Sequence, residues 1–496
     1  MRALISVYDK RGLDAFARGL VTLGFDLVAS GGTAAYLEER GLDVTPVEEL
    51  TEVPELLGGR VKTLHPRIHA GILARRDLAD DLAALEEHAI EPLDLVCVNL
   101  YPFEASPGVE TIDVGGPAML RAAAKNWHYV VAVCRPDQYE DVLTGLGGDG
   151  LSEQARRRLA AEAFALTARY DAAIARWLAD AQLPDQLAFA LVKDRELAYG
   201  ENPHQRAAYY AESGAVGHLL AGVEQIQGRG LSLINLYDLA AARLLLRELE
   251  GPACVIVKHA NPCGAAEADT IEVAYEKALA GDPLSAFGLF CAVNRPVTAE
   301  LGERLSERFV DVVHAPAYAQ PALDALRRKP ATRVLRGESE LPLDLDLKRV
   351  PGGLLVQERD AGIDDRAAME VVCGDVGDRE WTDAVFAWRV CKHVTSNAIV
   401  IARDRQAIGI GAGQQSRVDA TRLALDKARD RDHDVAGAVL ASDAFFPFPD
   451  GPLAALAAGV RVIVQPGGSK RDGEVIDAVR EAGAAMIFTG RRHFRH

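Results

Sequence analysis

The sequence lacks several features that would place it in a special class of protein. Its seven cysteines are scattered and none belongs to a CxxC pair, so neither a disulfide framework nor a zinc knuckle is expected. No uninterrupted apolar run approaches the roughly 20 residues that span a bilayer. The opening MRALISVYDK has the pattern of a buried strand and not of a secretory signal. We therefore expect a cytoplasmic protein with reduced thiols and no membrane segment.

An excess of positive charge is also missing. The 55 Lys and Arg residues are outnumbered by 72 Asp and Glu residues, which gives a net charge of −17. Nucleic-acid backbones and anionic membranes need a positive face, so neither is expected as a partner. A small anionic substrate needs only a local cluster of basic side chains, and it stays compatible with this charge.

The composition is that of an ordinary globular protein, with 49% hydrophobic and 26% charged residues over 496 positions. At about 150 residues per domain, this length predicts about three domains, with two or four tolerable. In the first 130 residues, the apolar runs ALISVY, FDLVAS and LDLVCVNLYPF alternate with helical segments, which predicts a parallel sheet with helices on both faces. Residues 150–180 are predicted to be helical, and QLPDQL then breaks the pattern, so we expect a domain boundary near 185–190.

Two similar stretches in the second half each lead from an apolar strand through a polar, glycine-containing turn into a helix. They are CVIVKHANPCGAAEADTIEVAYEKALAGD and SNAIVIARDRQAIGIGAGQQSRVDATRLALDKARD. The intervening RKPATRVLRGESELPLDLDLKRVPGG is charged and contains proline, which predicts a connection between subdomains. We infer two related α/β subdomains.

Two turns near the N-terminus suit an anion. Ser30-Gly31-Gly32-Thr33 lies between a strand and a helix, so its N–H groups and hydroxyls can face a phosphate, with an ordinary N-cap at Thr33 as the alternative. Gly58-Gly59-Arg60-Val61-Lys62-Thr63 combines two cations with a hydroxyl, and a solvated basic loop is its alternative.

Two pairs of charged residues suit proton transfer. Asp113 and Lys125 could supply opposite charges, although a surface salt bridge would have the same spacing. Lys258 beside His259 at a strand end is a natural acid–base pair, and a polar loop with a structural histidine is the alternative. Near them, Pro262-Cys263 lacks the H-x-E and P-C-x-x-C elements of zinc deaminases, so no catalytic metal is expected.

Two further segments each allow two interpretations. Gly409, Gly411 and Gly413 resemble a dinucleotide-binding turn, but the third glycine comes one residue early and no βαβ pattern surrounds it, so an NAD-dependent oxidoreductase is an unfavoured alternative. The basic and aromatic end TGRRHFRH is either a frayed tail or a segment that folds back over a site.

Twelve motifs, taken in order along the chain, resemble those of one family. They are ASGGTA, GGRVKTLHPRIHAGILAR, NLYPF, LRAAAKN, YGENPHQ, VKHANPCGAA, DPLSAFG, SNAIV, GIGAGQQSRVD, SDAFFPFPD, QPGGSKRD and FTGRRHFRH. The family comprises the bifunctional purine-biosynthesis proteins that join phosphoribosylaminoimidazolecarboxamide formyltransferase to IMP cyclohydrolase. The resemblance runs nearly end to end.

The resemblance implies an α/β fold in two domains. Residues 1–188 would form a methylglyoxal-synthase-like cyclohydrolase domain with a parallel sheet. Residues 189–496 would form the formyltransferase, with two cytidine-deaminase-like α/β subdomains at about 189–345 and 346–496. The family also implies a homodimer whose transferase sites lie across the subunit interface.

The implied chemistry has two steps. A formyl group would pass from the co-substrate 10-formyltetrahydrofolate, a folate, to the 5-amino group of the ribotide AICAR, giving FAICAR. Ring closure of FAICAR with loss of water would then give IMP, and no catalytic metal takes part.

The resemblance also assigns roles to residues. In the cyclohydrolase it places four residues around the reacting groups and seven around the nucleotide, chiefly its phosphate: Lys62, Tyr101, Asp113 and Lys125, then Ser6, Lys10, Ser30, Gly32, Thr33, Arg60 and Thr63. In the transferase, His259 would be the base, Lys258 its partner and Asn397 the contact of the formyl oxygen. The remaining ribotide or folate contacts would be Tyr199, Asn235, Phe287, Gly288, Asp311, Arg417, Phe445, Arg492 and His496.

Four positions depart from the family pattern. Ala198 stands where the family usually has an arginine that binds the ribotide phosphate, so ribotide affinity is in question. Tyr8 replaces a usual serine, Thr395 a common lysine and Leu289 a frequent glycine. The alternative that follows from Ala198 is a ribotide-binding protein with cyclohydrolase activity alone.

Overall fold

The computed structural model describes residues 1–215, 217–338, 341 and 345–496. The chain divides into two compact units, residues 1–192 with 212–214, and residues 193–211 with 215–496. Residues 339–340 and 342–344 of the predicted subdomain connection lie outside the described residues.

The first unit alternates strands and helices from its first residues. Its elements are β1 (Arg2–Val7), α1 (Leu13–Thr22), β2 (Asp26–Ala29), α2 (Gly31–Glu38), β3 (Val44–Pro46), α3 (Val47–Thr51), α4 (Pro66–Leu73), α5 (Ala79–Glu87), β4 (Leu95–Asn99), α6 (Gly115–Lys125), β5 (Val131–Val133), α7 (Tyr139–Gly147) and α8 (Glu153–Leu178).

Its sheet has the strand order β3-β2-β1-β4-β5, and every pairing is parallel, which confirms the predicted parallel sheet. Apolar side chains alternate between two cores on its opposite faces. In β1, Ala3 and Ile5 belong to one core and Leu4 to the other. Burial on both faces is the reason why these strands are almost continuously apolar in sequence.

The other elements are β6 (Leu191–Leu197), β7 (Ala207–Glu212), β8 (Glu224–Gln227), α9 (Leu233–Leu246), β9 (Ala253–Lys258), β10 (Asn261–Glu267), α10 (Ile271–Gly281), β11 (Leu289–Val293), α11 (Ala299–Glu307), β12 (Val310–Ala315), α12 (Gln320–Leu326), β13 (Arg333–Arg336), β14 (Leu345–Val350), β15 (Gly353–Glu358), β16 (Glu370–Cys373), α13 (Asp378–Lys392), β17 (Ile399–Arg403), β18 (Gln406–Gly411), α14 (Arg417–Asp430), β19 (Val439–Ser442), α15 (Asp450–Ala457), β20 (Val462–Gln465), α16 (Asp472–Glu481) and β21 (Ala485–Phe488). Two small hairpins, β6 with β7 and β14 with β15, stand apart from the large sheet.

The large sheet of the second unit is built from a repeat. Its order is β16-β21-β20-β19-β17-β18-β10-β9-β11-β12-β13-β8. The chain order β8, α9, β9, β10, α10, β11, α11, β12, α12, β13 recurs as β16, α13, β17, β18, α14, β19, α15, β20, α16, β21. The two halves meet where β10 pairs antiparallel with β18, so one half is inverted relative to the other. This arrangement agrees with two related α/β halves.

Within each half, the sequence reading missed one strand. NPCGAAE and QAIGIG were expected to be turns because of their glycines, but they form β10 and β18, each in a hairpin with the strand before it. The glycines are needed for helix packing, because a Cβ at Gly264 or Gly411 would collide with the carbonyl oxygen of Ala278 or Ala420 on the covering helix. Gly409 and Gly411 therefore lie inside a strand and do not form a dinucleotide-binding turn.

Candidate active sites

A pocket of about 570 Å³ lies at the carboxyl ends of β1, β2 and β4 in the first unit. In parallel α/β sheets this edge is where ligands bind. Ten of the eleven residues that the resemblance assigned to the cyclohydrolase line it: Ser6, Lys10, Ser30, Gly32, Thr33, Arg60, Lys62, Thr63, Tyr101 and Asp113.

The start of α2 forms one wall of this pocket. Ser30, and not Thr33, is the N-cap residue, because α2 begins at Gly31 and Thr33 lies inside it. The Thr33 hydroxyl accepts from Val7 N (3.1 Å). Ser30 Oγ lies 2.7 Å from Ser6 Oγ. The first N–H groups of a helix have no partner within it, so those of Gly31 and Gly32 can bind an anion.

Lys62 connects the glycine turn at residues 58–63 to the glycine turn at residues 30–33. Its Nζ lies 2.5 Å from Glu55 Oε2, and a Cβ added to Gly31 would lie 3.1 Å from the same Nζ. The ammonium group therefore sits against the start of α2. Arg60 is more exposed and pairs with Glu110 at the rim. The two turns that the sequence marked as anion-binding thus converge on one pocket.

Asp113 stands at the start of α6. Its Oδ1 accepts a hydrogen bond from Gly116 N (2.9 Å), and its own N–H donates to Tyr170 Oη (2.8 Å). Burial raises the pKa of Asp113, and the bond from Gly116 only partly offsets that effect. A carboxyl group whose pKa is raised toward neutral pH is suited to exchanging a proton with a substrate.

Tyr101 lies at the mouth of the pocket with 45% of its surface exposed. Its ring packs edge-on against Tyr8, with ring centres 5.8 Å apart. Asn99 Oδ1 accepts from the backbone amides of Tyr8 (2.7 Å) and Asp9 (2.9 Å), which fixes the loop after β1. The departure at Tyr8 therefore adds an aromatic wall beside Tyr101.

Lys125 is the one predicted cyclohydrolase residue outside this lining. It lies at the end of α6 and lines an adjacent groove of about 1070 Å³, together with Arg121 and Asp113. Arg121 and Lys125 share a helix face, as their spacing predicts. Asp113 is common to both cavities.

The second unit collects its predicted residues at one edge of the large sheet. The carboxyl end of β9 meets the amino ends of β11 and β12 there. Lys258 ends β9, and His259 and Ala260 form the following turn with φ angles of 55° and 59°. Ala260 N donates to Asp238 Oδ1 (2.7 Å).

Lys258 connects this turn to the loop before β11. Its Nζ donates to the carbonyl oxygen of Phe287 (2.7 Å). Gly288 follows with a φ of 66°, and its N–H donates to Phe309 O (3.1 Å). The ring of Phe287 is 72% exposed beside these groups and offers a flat apolar face to a ligand.

Asn235 and Asp311 lie next to each other at the same edge. Asn235 Nδ2 donates to Asp311 Oδ2 (3.0 Å), and Asp311 Oδ1 pairs with Arg333 at 2.5 Å. The carbonyl oxygen of Tyr199 accepts from Leu233 N (3.1 Å), which holds Tyr199 near the start of α9.

The half-buried Asn397 and the buried Arg417 form a group in the other half. Arg417 Nη2 donates to Asn397 Oδ1 (2.7 Å), and Nη1 donates to Ser442 Oγ (2.8 Å) and pairs with the buried Asp443. The Asn397 amide donates in turn to Gln414 O (2.9 Å). Its side-chain oxygen is therefore held by Arg417, and the orientation of Asn397 is fixed.

The last eight residues fold back onto this group. His493 N donates to Asp443 O (3.0 Å), and Arg495 O accepts from Ser396 N (2.9 Å). The His493 ring is 1% exposed and bonds to Asp360 and Asp364. The tail that carries Arg492 and His496 is thus anchored, as one of the two interpretations of TGRRHFRH predicts. Phe445, 37% exposed, follows Asp443 and Ala444.

Comparison with known proteins bears directly on these two groups. Residues 123–427 match the family described as AICARFT/IMPCHase bienzyme, and residues 12–125 match the MGS-like domain. The whole chain is 49% identical to the bifunctional purine biosynthesis protein PurH of Chloroflexus aurantiacus, covering 99% of that protein. The chain belongs to the AICARFT/IMPCHase bienzyme family.

Two further PurH proteins agree with this family assignment. The PurH proteins of Magnetococcus marinus and Lacticaseibacillus casei are 46% and 47% identical over the whole chain, which covers 99% and 100% of their lengths. The crystal structure of ForH is 42% identical over 35% of this chain and 95% of its own, with a TM-score of 0.33.

Three further features of the structure concern thiols, metal binding and membrane-spanning helices. All seven cysteines are free thiols. Among the described residues, no three His, Cys, Asp or Glu side chains are grouped so that they could hold a metal ion. Nor does any described helix have the length and apolar character needed to cross a membrane.

Sequence reasoning missed the residues that hold the site residues in place. Asp238, Asp443 and Asn261 are the clearest cases. Asp443 and Asn261 lie inside the motifs SDAFFPFPD and VKHANPCGAA, so the motifs contained them. Asp238 had another signal, because it is a charged residue within the buried stripe of α9 that includes Leu236, Leu239 and Ala242.

Proposed function

We propose that the pocket of the first unit closes the purine ring and that the edge of the large sheet in the second unit transfers the formyl group. The chain is a bifunctional enzyme of purine biosynthesis with formyltransferase and IMP cyclohydrolase activities, and the transferase uses 10-formyltetrahydrofolate. The assignment of one reaction to each unit rests on one observation. Each unit contains its own group of cationic, proton-exchanging and anion-binding side chains.

In the transferase, His259 takes a proton from the 5-amino group of AICAR as that nitrogen attacks the formyl carbon. The new C–N bond forms while the carbonyl π electrons move to oxygen, near Asn397 and Arg417. The bond from the formyl carbon to N10 of the folate then breaks, and N10 receives a proton. Lys258 is the partner of His259 in polarising the formyl group and in proton transfer, and general acid–base catalysis of this kind contributes about 10²–10⁴-fold.

In the cyclohydrolase, the carboxamide nitrogen of FAICAR attacks its formyl carbon, and the resulting hydroxyl group leaves as water. Lys62 and Tyr101 stabilise the negative charge that develops on oxygen, and Asp113 exchanges the proton. Ser30, Gly32 and Thr33 hold the phosphate at the start of α2. Holding the amide next to the formyl carbon supplies the entropic part of the rate enhancement. The groove that Lys125 shares with Asp113 supports an accessory role for Lys125 in this step.

The assembly and location of the enzyme are part of the same proposal. We infer a homodimer, because the family implies transferase sites completed by a second copy. Its partners are then small molecules, AICAR, FAICAR, IMP and the folate. A cytoplasmic location is supported by the seven free thiols.

A coupled assay tests the proposed function. Purified protein is given AICAR and 10-formyltetrahydrofolate, and FAICAR and IMP are measured over time. We expect IMP to form only when both substrates are present, and supplied FAICAR to be converted without folate. Conversion of FAICAR without any formyl transfer would instead support the alternative of a ribotide-binding cyclohydrolase.

A further inference from the structure

The turn after β9 has an unusual backbone. His259 and Ala260 both lie in the left-handed region, with φ angles of 55° and 59°. Two successive left-handed residues are typical of a tight hairpin turn, where Asn and Gly are the favoured residues. Left-handed backbone angles are unfavourable for alanine, so this turn needs contacts with surrounding residues to stabilise it.

One buried carboxyl group stabilises this turn. Asp238 lies on α9, is 7% exposed, and its Oδ1 accepts from Ala260 N at 2.7 Å. Burial raises the pKa of Asp238, while the hydrogen bond from Ala260 N and the neighbouring side chains of His259 and Lys258 counteract part of that effect. A carboxyl group without a hydrogen-bond partner would be costly at this buried position, and Ala260 N supplies a partner.

The other half of the repeat has the same contact between a helix aspartate and a left-handed turn, and that turn contains no predicted site residue. Asp404 and Arg405 form the turn between β17 and β18 with φ angles of 52° and 55°. Asp383 on α13 accepts from both of their backbone amides, at 2.9 Å and 2.7 Å. Each half therefore fixes its left-handed turn with an aspartate from the preceding helix.

We propose that Asp238 is a positioning residue of the formyl-transfer site: its carboxylate fixes the His259–Ala260 turn and thereby aims the His259 ring at the substrate. The proposal rests on the proposed role of His259 as the base. Asp238 does not touch the substrate and acts through the turn. Asp383 is a built-in control, because it fixes an equivalent turn at the opposite edge of the sheet.

A double-mutant comparison tests this assignment. Formyl transfer is measured for Asp238→Ala, for Ala260→Gly and for the two combined, with Asp383→Ala as the matched control. We expect Asp238→Ala to lower kcat about 100-fold, the usual effect of a misplaced catalytic group. Because glycine adopts left-handed angles without strain, the same change in the Ala260→Gly background should cost less than about 10-fold. Asp238→Asn keeps an acceptor and should retain most of the rate, and Asp383→Ala should stay within about twofold of wild type.

An equal loss of kcat in both backgrounds, or an equal loss with Asp383→Ala, would overturn the proposal. The ring of His259 supplies a second measurement that does not depend on activity. In NMR spectra of protein labelled with ¹⁵N-histidine, Asp238→Ala should shift the His259 signals, identified by their loss in His259→Gln, and Asp383→Ala should leave them in place. Unshifted signals would refute the positioning role. Shifted signals in a protein that transfers no formyl group would refute the proposed function alone.

Discussion

The side-chain oxygen of Asn261 accepts a hydrogen bond of 2.8 Å from the backbone amide of Thr395. The Asn261 amide also donates to His259 O (3.3 Å), so one side chain connects the turn of the proposed base to the segment that leads to Asn397. These are the groups that would hold the attacking amine and the formyl oxygen. Their relative position therefore depends on Asn261.

Replacing Asn261 with alanine should separate these two groups. The Thr395 amide would lose its partner, and formyl transfer should fall by about 10- to 100-fold because the reacting groups are no longer aligned. Steady-state kinetics with AICAR and 10-formyltetrahydrofolate measures the effect. Ring closure of supplied FAICAR by the same sample is the control for folding. A transfer rate equal to that of wild type would show that the connection is dispensable.

Asp113→Asn should lower activity and raise stability together. Burial raises the pKa of Asp113 in the folded protein, so the folded state binds the proton more tightly than the unfolded state, and stability falls as pH rises through that pKa. The asparagine variant avoids this loss, so its stability advantage should be full at pH 7 and vanish below pH ~4, where both states are protonated. Ring closure should fall about 100-fold or more, the usual effect of removing a general acid–base group.

Urea unfolding of wild type and Asp113→Asn at several pH values, beside the FAICAR assay, checks both effects. Asp77→Asn, a change at an exposed position in the same unit, is the control. If Asp113→Asn were less stable than wild type at pH 7, the ionised carboxylate would be stabilising, contrary to its burial.

His493→Gln should loosen the C-terminal tail in a pH-dependent way. Burial lowers the pKa of His493, but its bonds to Asp360 and Asp364 raise it more, and the net pKa lies above its usual value. The pKa of Asp364 is lowered to about 2, chiefly by its bond to His493. The contact is thus fully stabilising between about pH 4 and pH 6.5, above the unfolded-state pKa of aspartate and below that of histidine. It weakens as pH rises through the folded-state pKa of His493.

We expect His493→Gln to lower the free energy of unfolding by about 3 kcal/mol at pH 6, as for other broken buried ion pairs, and by less at alkaline pH. Denaturant unfolding across this range measures the difference, with the exposed His204→Gln as the reference. A difference that does not change with pH would mean that His493 acts by packing alone.

Ala198→Arg tests the departure at the proposed ribotide site. Ala198 is exposed and directly precedes Tyr199, whose carbonyl oxygen is fixed to the start of α9. A guanidinium group there should bind the ribotide phosphate and lower the KM for AICAR about 10-fold with kcat unchanged, because it contacts ground state and transition state equally. Ala198→Gln gives a comparable side chain without charge. If both variants have the KM of wild type, this position does not face the phosphate.

The sequence predicted the two glycine turns and most of the residues that line the first pocket, because these depend on local patterns. Glycines, hydroxyls and cations cluster within a few residues at Ser30 and Lys62, and strand ends of a parallel sheet converge on one edge. The sequence did not show which residues far apart in the chain would become hydrogen-bond or ion-pair partners. Asn397 and Arg417 are 20 residues apart, and only the pairing of β17 with β18 and β19 brings Asp443 to them.

The strands β10 and β18 were missed for a related reason. Glycine in a strand is locally unfavourable, and it is kept at Gly264 and Gly411 because a helix backbone packs against it. That contact involves residues nine or more positions away in the chain and has no local signal. The role of Asp238 was hidden in the same way, since its partner Ala260 lies 22 residues along the chain.

The central claim, that one chain performs two consecutive steps at separate sites, is tested most directly by two reciprocal variants. Lys62→Gln and His259→Ala are each supplied with AICAR and 10-formyltetrahydrofolate, and separately with FAICAR, and IMP is quantified. We predict that Lys62→Gln accumulates FAICAR and makes no IMP. His259→Ala should make IMP when FAICAR is supplied but not from AICAR. A mixture of the two variants should restore IMP formation from AICAR. Loss of both steps in either variant, or IMP formed from AICAR by His259→Ala at the wild-type rate, would contradict it.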